Sequence, residues 1–147
     1  MTSLDDFARM AAADSGLCVV TTVRDDATVQ ASVVNAGVLD HPASGVAVVG
    51  LVARGGSRKL ENLRRRPRTT MVAKSGWQWV ALEGTTELFG PDDPRPGLDG
   101  ERLREVLRDV FRAAGGTHDD WAEYDRVMAA DRRTVVFVTP ERVYSNS

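Results

Sequence analysis

The densest chemistry in the sequence lies between Ala53 and Arg68, ARGGSRKLENLRRRPR. Arg54, Arg58, Lys59, Arg64, Arg65, Arg66 and Arg68 are seven of the nineteen basic residues, although the formal net charge of the chain is −2. Gly55-Gly56 precedes a predicted short helix from Ser57 to Arg66, stopped by Pro67 because proline disfavours helical geometry in the residue before it. A helix N-terminus offers free N–H groups and the positive end of a dipole, so a phosphate docks there readily. Ser57 can donate its hydroxyl, and Arg58 and Lys59 add charge. Lys59, Asn62 and Arg66 fall at i, i+3 and i+7 on one helical stripe, while Leu60 and Leu63 face the core. A plainer alternative makes Ser57 a helix cap and the arginines a solvated face. Nucleic-acid binding is disfavoured, because no aromatic residues interleave the basic run. Common nucleotide motifs fail: Gly50 and Gly55 have P-loop spacing, but Gly56 and Ser57 stand where Lys and Ser/Thr are needed.

The second feature is Trp77-Gln78-Trp79-Val80-Ala81-Leu82-Glu83. Strand alternation puts Val80 and Leu82 on one face and Trp77, Trp79, Ala81 and Glu83 on the other. Two tryptophans beside Glu83 and Glu87 suit a flat ligand or a subunit interface better than a simple core, although a small core under the C-terminal helices would also use them. No motif pairs a histidine with a nucleophile. His41, beside Pro42, and His118 read as structural surface residues. The carboxylate pairs Asp25-Asp26, Asp92-Asp93 and Asp119-Asp120 fall in turns or helix starts, where Asp is favoured. Catalytic residues are therefore unassigned. An enzyme built this way borrows its chemistry from a cofactor and contributes binding and orientation.

The elements that must position these residues are legible from hydrophobic period. Ser3 is a plausible N-cap for an opening helix, with Asp5 and Asp6 in its first turn and Leu4, Phe7 and Met10 on one face. Leu17–Arg24 and Thr28–Asn35 read as a hairpin, the second strand carrying Val29, Ala31 and Val33 on one side. Gly45–Ala53 is a continuous apolar run and a predicted central strand. Arg68–Lys74 and Trp77–Leu88 form a further pair. Residues 90–100 are a loop, and residues 101–130 hold two helices. The first helix repeats Leu103, Val106, Leu107, Val110 and Ala114, and Thr117 with Asp120 resembles a capping box for the second. Thr134–Val138 is a strand, broken at Pro140, with a short last strand around Val143. Six or seven antiparallel strands at hairpin spacing, with flanking helices, favour a small closed or split β-barrel.

At 147 residues, one domain spanning 1–147 is expected, on a prior of roughly 100–200 residues per domain. A composition of 42% hydrophobic and 27% charged residues is that of an ordinary globular protein. The slightly acidic balance gives no global cationic field for nucleic acid. No apolar run approaches the ~20 residues of a membrane span, and no signal-like segment opens the chain, so a cytoplasmic location is expected. One cysteine and two histidines are too few for a four-ligand structural zinc site, and no metal is expected.

The run Ser57-Arg58-Lys59-Leu60-Glu61-Asn62-Leu63 resembles the S-R-K-x-x-Q-L phosphate segment of pyridoxamine-phosphate-oxidase-like split barrels. With Asn62-Leu63-Arg64-Arg65, Pro67-Arg68, Trp77 before Glu83-Gly84, Trp121-Tyr124 and Asp131-Arg132-Arg133, nearly the whole chain resembles the actinobacterial flavin/deazaflavin oxidoreductases of subgroup B. That resemblance implies a homodimer with cofactor clefts at the subunit interface. It implies coenzyme F-420, or alternatively FMN, held by its phosphate near Ser57, Arg58 and Lys59. By the same carry-over Asn62 supports that segment, Ser32, Val33, Val34 and Asn35 run beside the ring system, and Trp77 and Trp79 border the cleft. The implied activity is hydride transfer from reduced deazaflavin to a conjugated or quinone-like acceptor. A non-catalytic flavin, deazaflavin or tetrapyrrole binder is the alternative of another class. The C-terminus, Val143 to Ser147, lacks the W-x-x-x-R-L-x-P ending of true pyridoxamine phosphate oxidases, which argues against that activity.

Overall fold

A computed structural model describes residues 1–147. Six antiparallel strands close into a barrel in the order β1-β2-β3-β6-β5-β4. They are β1 (Leu17–Val23), β2 (Val29–Asp40), β3 (Ala47–Ala53), β4 (Arg68–Ser75), β5 (Gln78–Phe89) and β6 (Thr134–Ser145). Four helices flank them: α1 (Leu4–Ala13), α2 (Arg58–Arg65), α3 (Gly100–Ala113) and α4 (Trp121–Ala130). No helix is long and apolar enough to cross a membrane.

β3 is buried on both faces, as its unbroken apolar run predicts. Val49, Leu51 and Ala53 join the barrel interior, where Phe7 of α1 and Leu60 and Leu63 of α2 also insert. Val48 packs outward with Val135 and Phe137 of β6 against Val106, Leu107 and Val110 of α3 and Tyr124 of α4. β6 alternates in the same way, Val136 and Val138 inward and Val135 and Phe137 outward. α1 starts in a full capping box between Ser3 and Asp6. Cys18 is buried, and burial pushes its thiol up to about 12, with the Asp14 charge adding to the effect.

Four local readings change. β6 is a single strand running through Pro140, because the barrel absorbs the missing N–H with a register shift opposite Glu83/Gly84. α4 is capped by Asp120, which accepts from Glu123 N, and not by Thr117. Trp77 sits in the β4–β5 turn, 93% exposed, and not within a strand. His41 is buried, its Nδ1 accepting from Ala43 N (3.1 Å) and Ser44 N (3.3 Å) in the β2–β3 turn, rather than a surface residue.

β2 runs on to Asp40 because Ala36 to Asp40 find partners along β3. There Gly37 lets α3 lie directly on the sheet: a Cβ at Gly37 would sit 2.0 Å from the Ala113 carbonyl oxygen. Gly37→Ala is therefore expected to cost about 1–3 kcal/mol of stability in urea unfolding. Gly100→Ala, with open space around it, should stay within about 0.5 kcal/mol of the parent.

Candidate functional site

A cleft of about 380 Å³ opens where the C-terminal end of β3 meets α2, between β2 and the α3/α4 pair. Val33, Val34 and Asn35 of β2 form one wall, and Phe111, Tyr124 and Met128 the opposite one. Val52 and Ala53 lead into the loop that carries Arg54 and Ser57 to the floor, where Lys59 and Arg133 also line the space. One side is thus apolar and the other cationic.

The loop is held by backbone packing. Gly55 N donates to Asp131 O at 3.1 Å, and a Cβ on Gly55 would fall 2.6 Å from both Arg132 O and its Cβ. The close approach to the turn before β6 accordingly requires glycine. Ser57 occupies the N-cap position of α2 with extended backbone, yet its side chain makes no capping bond. Its Oγ is buried without any hydrogen-bond partner. A capping role is the plainer explanation for a serine here, and the geometry removes it. A buried hydroxyl normally finds a partner, so a missing one at a cleft floor points to a ligand.

The cations divide by partner. Arg65 and Arg66 both bind Asp25. Arg64 makes a two-pronged pair with Asp93 at 2.8 and 2.7 Å, and Arg68 reaches Glu141 at 2.7 Å. Arg133 bonds Asp131 at 3.2 Å, and Arg54 stands 4.0 Å from the same carboxylate. Lys59 has no such partner. Its half-buried ammonium is held below the ordinary lysine value of 10.5 by desolvation first and by the Arg133 charge second. The predicted stripe of Lys59, Asn62 and Arg66 is therefore not one anion receptor: only Lys59 faces the cleft. Asn62 Nδ2 donates to Thr22 Oγ1 at 3.0 Å and Gln30 Oε1 at 3.3 Å, which ties α2 to the β1–β2 hairpin. Asn62 thus supports the segment from behind.

Of the residues singled out from sequence, Val33, Val34, Asn35, Ser57 and Lys59 come together here. Ser32 is not among the residues that line the cleft, and Arg58 is exposed at the start of α2. Trp77 and Trp79 lie elsewhere in the chain, at the β4–β5 hairpin, where Trp79 packs edge-on against Tyr144 and Tyr144 Oη donates to Glu83 at 2.6 Å. Sequence reasoning missed Arg54, Arg133, Phe111 and Tyr124 as lining residues. The Asp131-Arg132-Arg133 run before β6 carried a signal for one of them, but it gave no spatial address.

Of the lining groups that could act as a general acid, Tyr124 is engaged by the protein and Lys59 is not. The Tyr124 hydroxyl donates to Leu107 O at 3.2 Å and is pushed up to about 12 by burial and then by Asp125. What the arrangement offers is a dry apolar wall for a planar group and a hydroxyl–ammonium–guanidinium floor for an anion.

The fold is that of the pyridoxamine-phosphate-oxidase-like split barrels, with flanking helices. Among solved structures, a conserved hypothetical protein of Mycobacterium tuberculosis matches with a TM-score of 0.70 at 21% identity, over 99% of this chain and 84% of that one. A pyridoxamine 5'-phosphate oxidase-related, FMN-binding protein of Nostoc punctiforme matches with a TM-score of 0.66 at 8% identity, over 99% and 86%. An F-420 reductase matches with a TM-score of 0.60 at 13% identity, over 88% and 90%. No family model matches the sequence.

The titration state of Lys59 makes the anion floor pH-dependent. An anion is held best while Lys59 is protonated, so affinity for inorganic sulfate, whose own charge is constant there, should fall as pH rises through a value below 10.5. Lys59→Arg, whose charge does not titrate there, should give a flat profile by calorimetry over the same range.

Proposed function

We propose that this chain is a coenzyme F-420-dependent reductase of the flavin/deazaflavin oxidoreductase type, subgroup B, passing a hydride to a conjugated or quinone-like small molecule. The observation that carries the reading is the unpartnered, buried Ser57 Oγ in a cleft that also presents the unpaired Lys59. A phosphate fits that pair as acceptor for one and counter-ion for the other. Arg54, exposed in the cleft lining, and Arg58, exposed at the start of α2, suit the further negative charges of a polyglutamate tail, which FMN lacks. The FMN branch keeps the same phosphate seat and is the alternative.

When bound, the deazaflavin supplies the hydride. The protein's part is binding and orientation: Ser57 and Lys59 fix the phosphate, and Val33, Val34 and Phe111 flank the planar ring and exclude water. Tyr124 serves as a wall, since its proton is already engaged by Leu107 O.

The reading includes a homodimer that completes the cleft. On β2, Val33 is 64% and Val29 57% exposed, an apolar edge continuous with the cleft wall. Together with the fully presented Trp77 at a hairpin tip, this is apolar surface that a second copy would cover. In such a dimer Trp77 and Trp79 of one protomer border the other's cleft.

Fluorescence titration with F-420 and, separately, FMN tests the cofactor. Micromolar or tighter F-420 binding with little affinity for FMN supports the reductase, preference for FMN moves the activity to the flavin branch, and binding of neither removes both. Lys59→Ala should weaken the preferred cofactor by about 1.5–3 kcal/mol, the contribution of a charge-assisted hydrogen bond. Trp77→Ala should raise the Kd for cofactor while leaving far-UV circular dichroism unchanged; an unaltered Kd takes Trp77 out of the site.

A further inference from the structure

A second cleft, of about 560 Å³, lies between α3 and α4. Its size falls in the range of about 300–1,000 Å³ occupied by small-molecule sites. Leu103, Leu107, Ala122 and Met128 make its walls, with Pro91 from the loop before α3. The helices are fastened beside it by Tyr124 Oη to Leu107 O at 3.2 Å and by the two-pronged Arg108–Asp125 pair at 3.0 and 2.5 Å. Arg108 and Arg112 also stack over Trp121, at 5.3 and 4.4 Å from the ring centroid. The opening between the helices is therefore a fixed feature of the pair.

Its charge is uneven in an informative way. On α3, Arg102 pairs with Glu105 at 2.9 Å, Arg108 with Asp125, and Arg112 with Asp109 at 3.5 Å. Arg104, which lines the cleft, is the one arginine of that helix with no acid partner. Arg126, the single basic residue of α4, lines the opposite side and also has none. The single carboxylate of the lining, Asp125, is consumed by Arg108. Arg133 adds a third guanidinium at the cleft, shared with Asp131. An apolar trough rimmed by two unpaired guanidiniums selects for an apolar body bearing one acid group. A neutral hydrocarbon would leave the cations unused, and a phosphate-rich ligand would leave the apolar walls uncovered.

We infer that the α3/α4 cleft is a second ligand site, for a soluble organic acid whose carboxylate meets Arg104 and Arg126 while its hydrocarbon part lies against Leu103, Leu107 and Met128. The site shares Met128 and Arg133 with the first cleft, but its argument does not rest on the cofactor reading.

Calorimetric titration of the purified full chain with decanoate, below its micelle concentration, and with 1-decanol as the uncharged control tests it. Decanoate is expected to bind one site per chain at least tenfold more tightly than decanol. Replacing Arg104→Gln and Arg126→Gln together should weaken decanoate at least tenfold and leave decanol unchanged. Ala122→Trp, which fills the trough and keeps both arginines, should abolish binding of both. Both variants retain the barrel if far-UV circular dichroism and sulfate binding match the parent. Both arginines are exposed, so the double variant remains a decisive test even if Ala122→Trp fails to fold. Equal affinity for decanol and decanoate, unchanged decanoate binding in the double variant, or no saturable binding overturns the assignment.

Discussion

Pairing of β3 with the first half of β6, segments buried on both faces, is the constraint on which the cleft depends. Val49 to Ala53 run register-matched against Val138 to Thr134, so the end of β3 and the start of β6 emerge side by side. The loop carrying Arg54 and Ser57 and the turn carrying Arg133 must then share one small volume. Gly55 lets them touch through its N–H and through the absence of a side chain. Because both faces of each strand are packed, neither can slide without moving a complete apolar layer to the wrong side. The cleft floor inherits that rigidity, although its residues all lie in loops and helix starts.

Electrostatics then divides the basic residues by task. Asp25, Asp92 and Asp93 each sit in a turn and each takes an arginine from a distant segment: Arg65 and Arg66, Arg132, and Arg64 respectively. Exposed pairs of this kind add little to stability, because water screens them and two long side chains must be ordered, so their weight lies in position. They fix α2 and the loop after β5 around the cleft. Their second effect is to remove most of the basic run from the pool of free charge. What remains is Lys59, half-buried beside another cation, with Arg54 in the cleft lining and Arg58 exposed at the start of α2. A cation so placed is better off with an anion than with none.

Local pattern made much of the fold legible. The unbroken apolar run of β3, the N-cap at Ser3 and the helical period of Leu103, Val106, Leu107 and Val110 each report an outcome decided by neighbours in sequence, and each reads correctly. Pro140 and Thr117 do not, because their outcome rests on partners far along the chain. The bulge opposite Glu83 and Gly84 accommodates the proline, and the turn before α4 hands the cap to Asp120. His41 is buried for the same reason: Phe89 and Phe137, from two other strands, close around its ring. At the site, Ser57 and Lys59 were visible as a helix start with charge. The neutralisation of the other arginines was not, since nothing local links Asp25 to Arg66 or Asp93 to Arg64.

Most polar groups in and around the cleft are engaged by the protein itself. Tyr124 gives its proton to a backbone carbonyl, Asp131 is occupied by Arg133, and Asn35 donates to Ser15 O at 2.9 Å. His41 takes two backbone N–H groups on Nδ1, which leaves its proton on Nε2, 3.3 Å from Glu87 and outside the cleft lining. Of the titratable groups that line the cleft, Lys59 is the one left with its proton available to a substrate. Ser57 Oγ and Lys59 Nζ are the polar groups left open, and a hydroxyl beside an ammonium is an anion seat. Beside the apolar wall of Val33, Val34 and Phe111, that seat leaves the cleft with one apolar and one anion-receiving side.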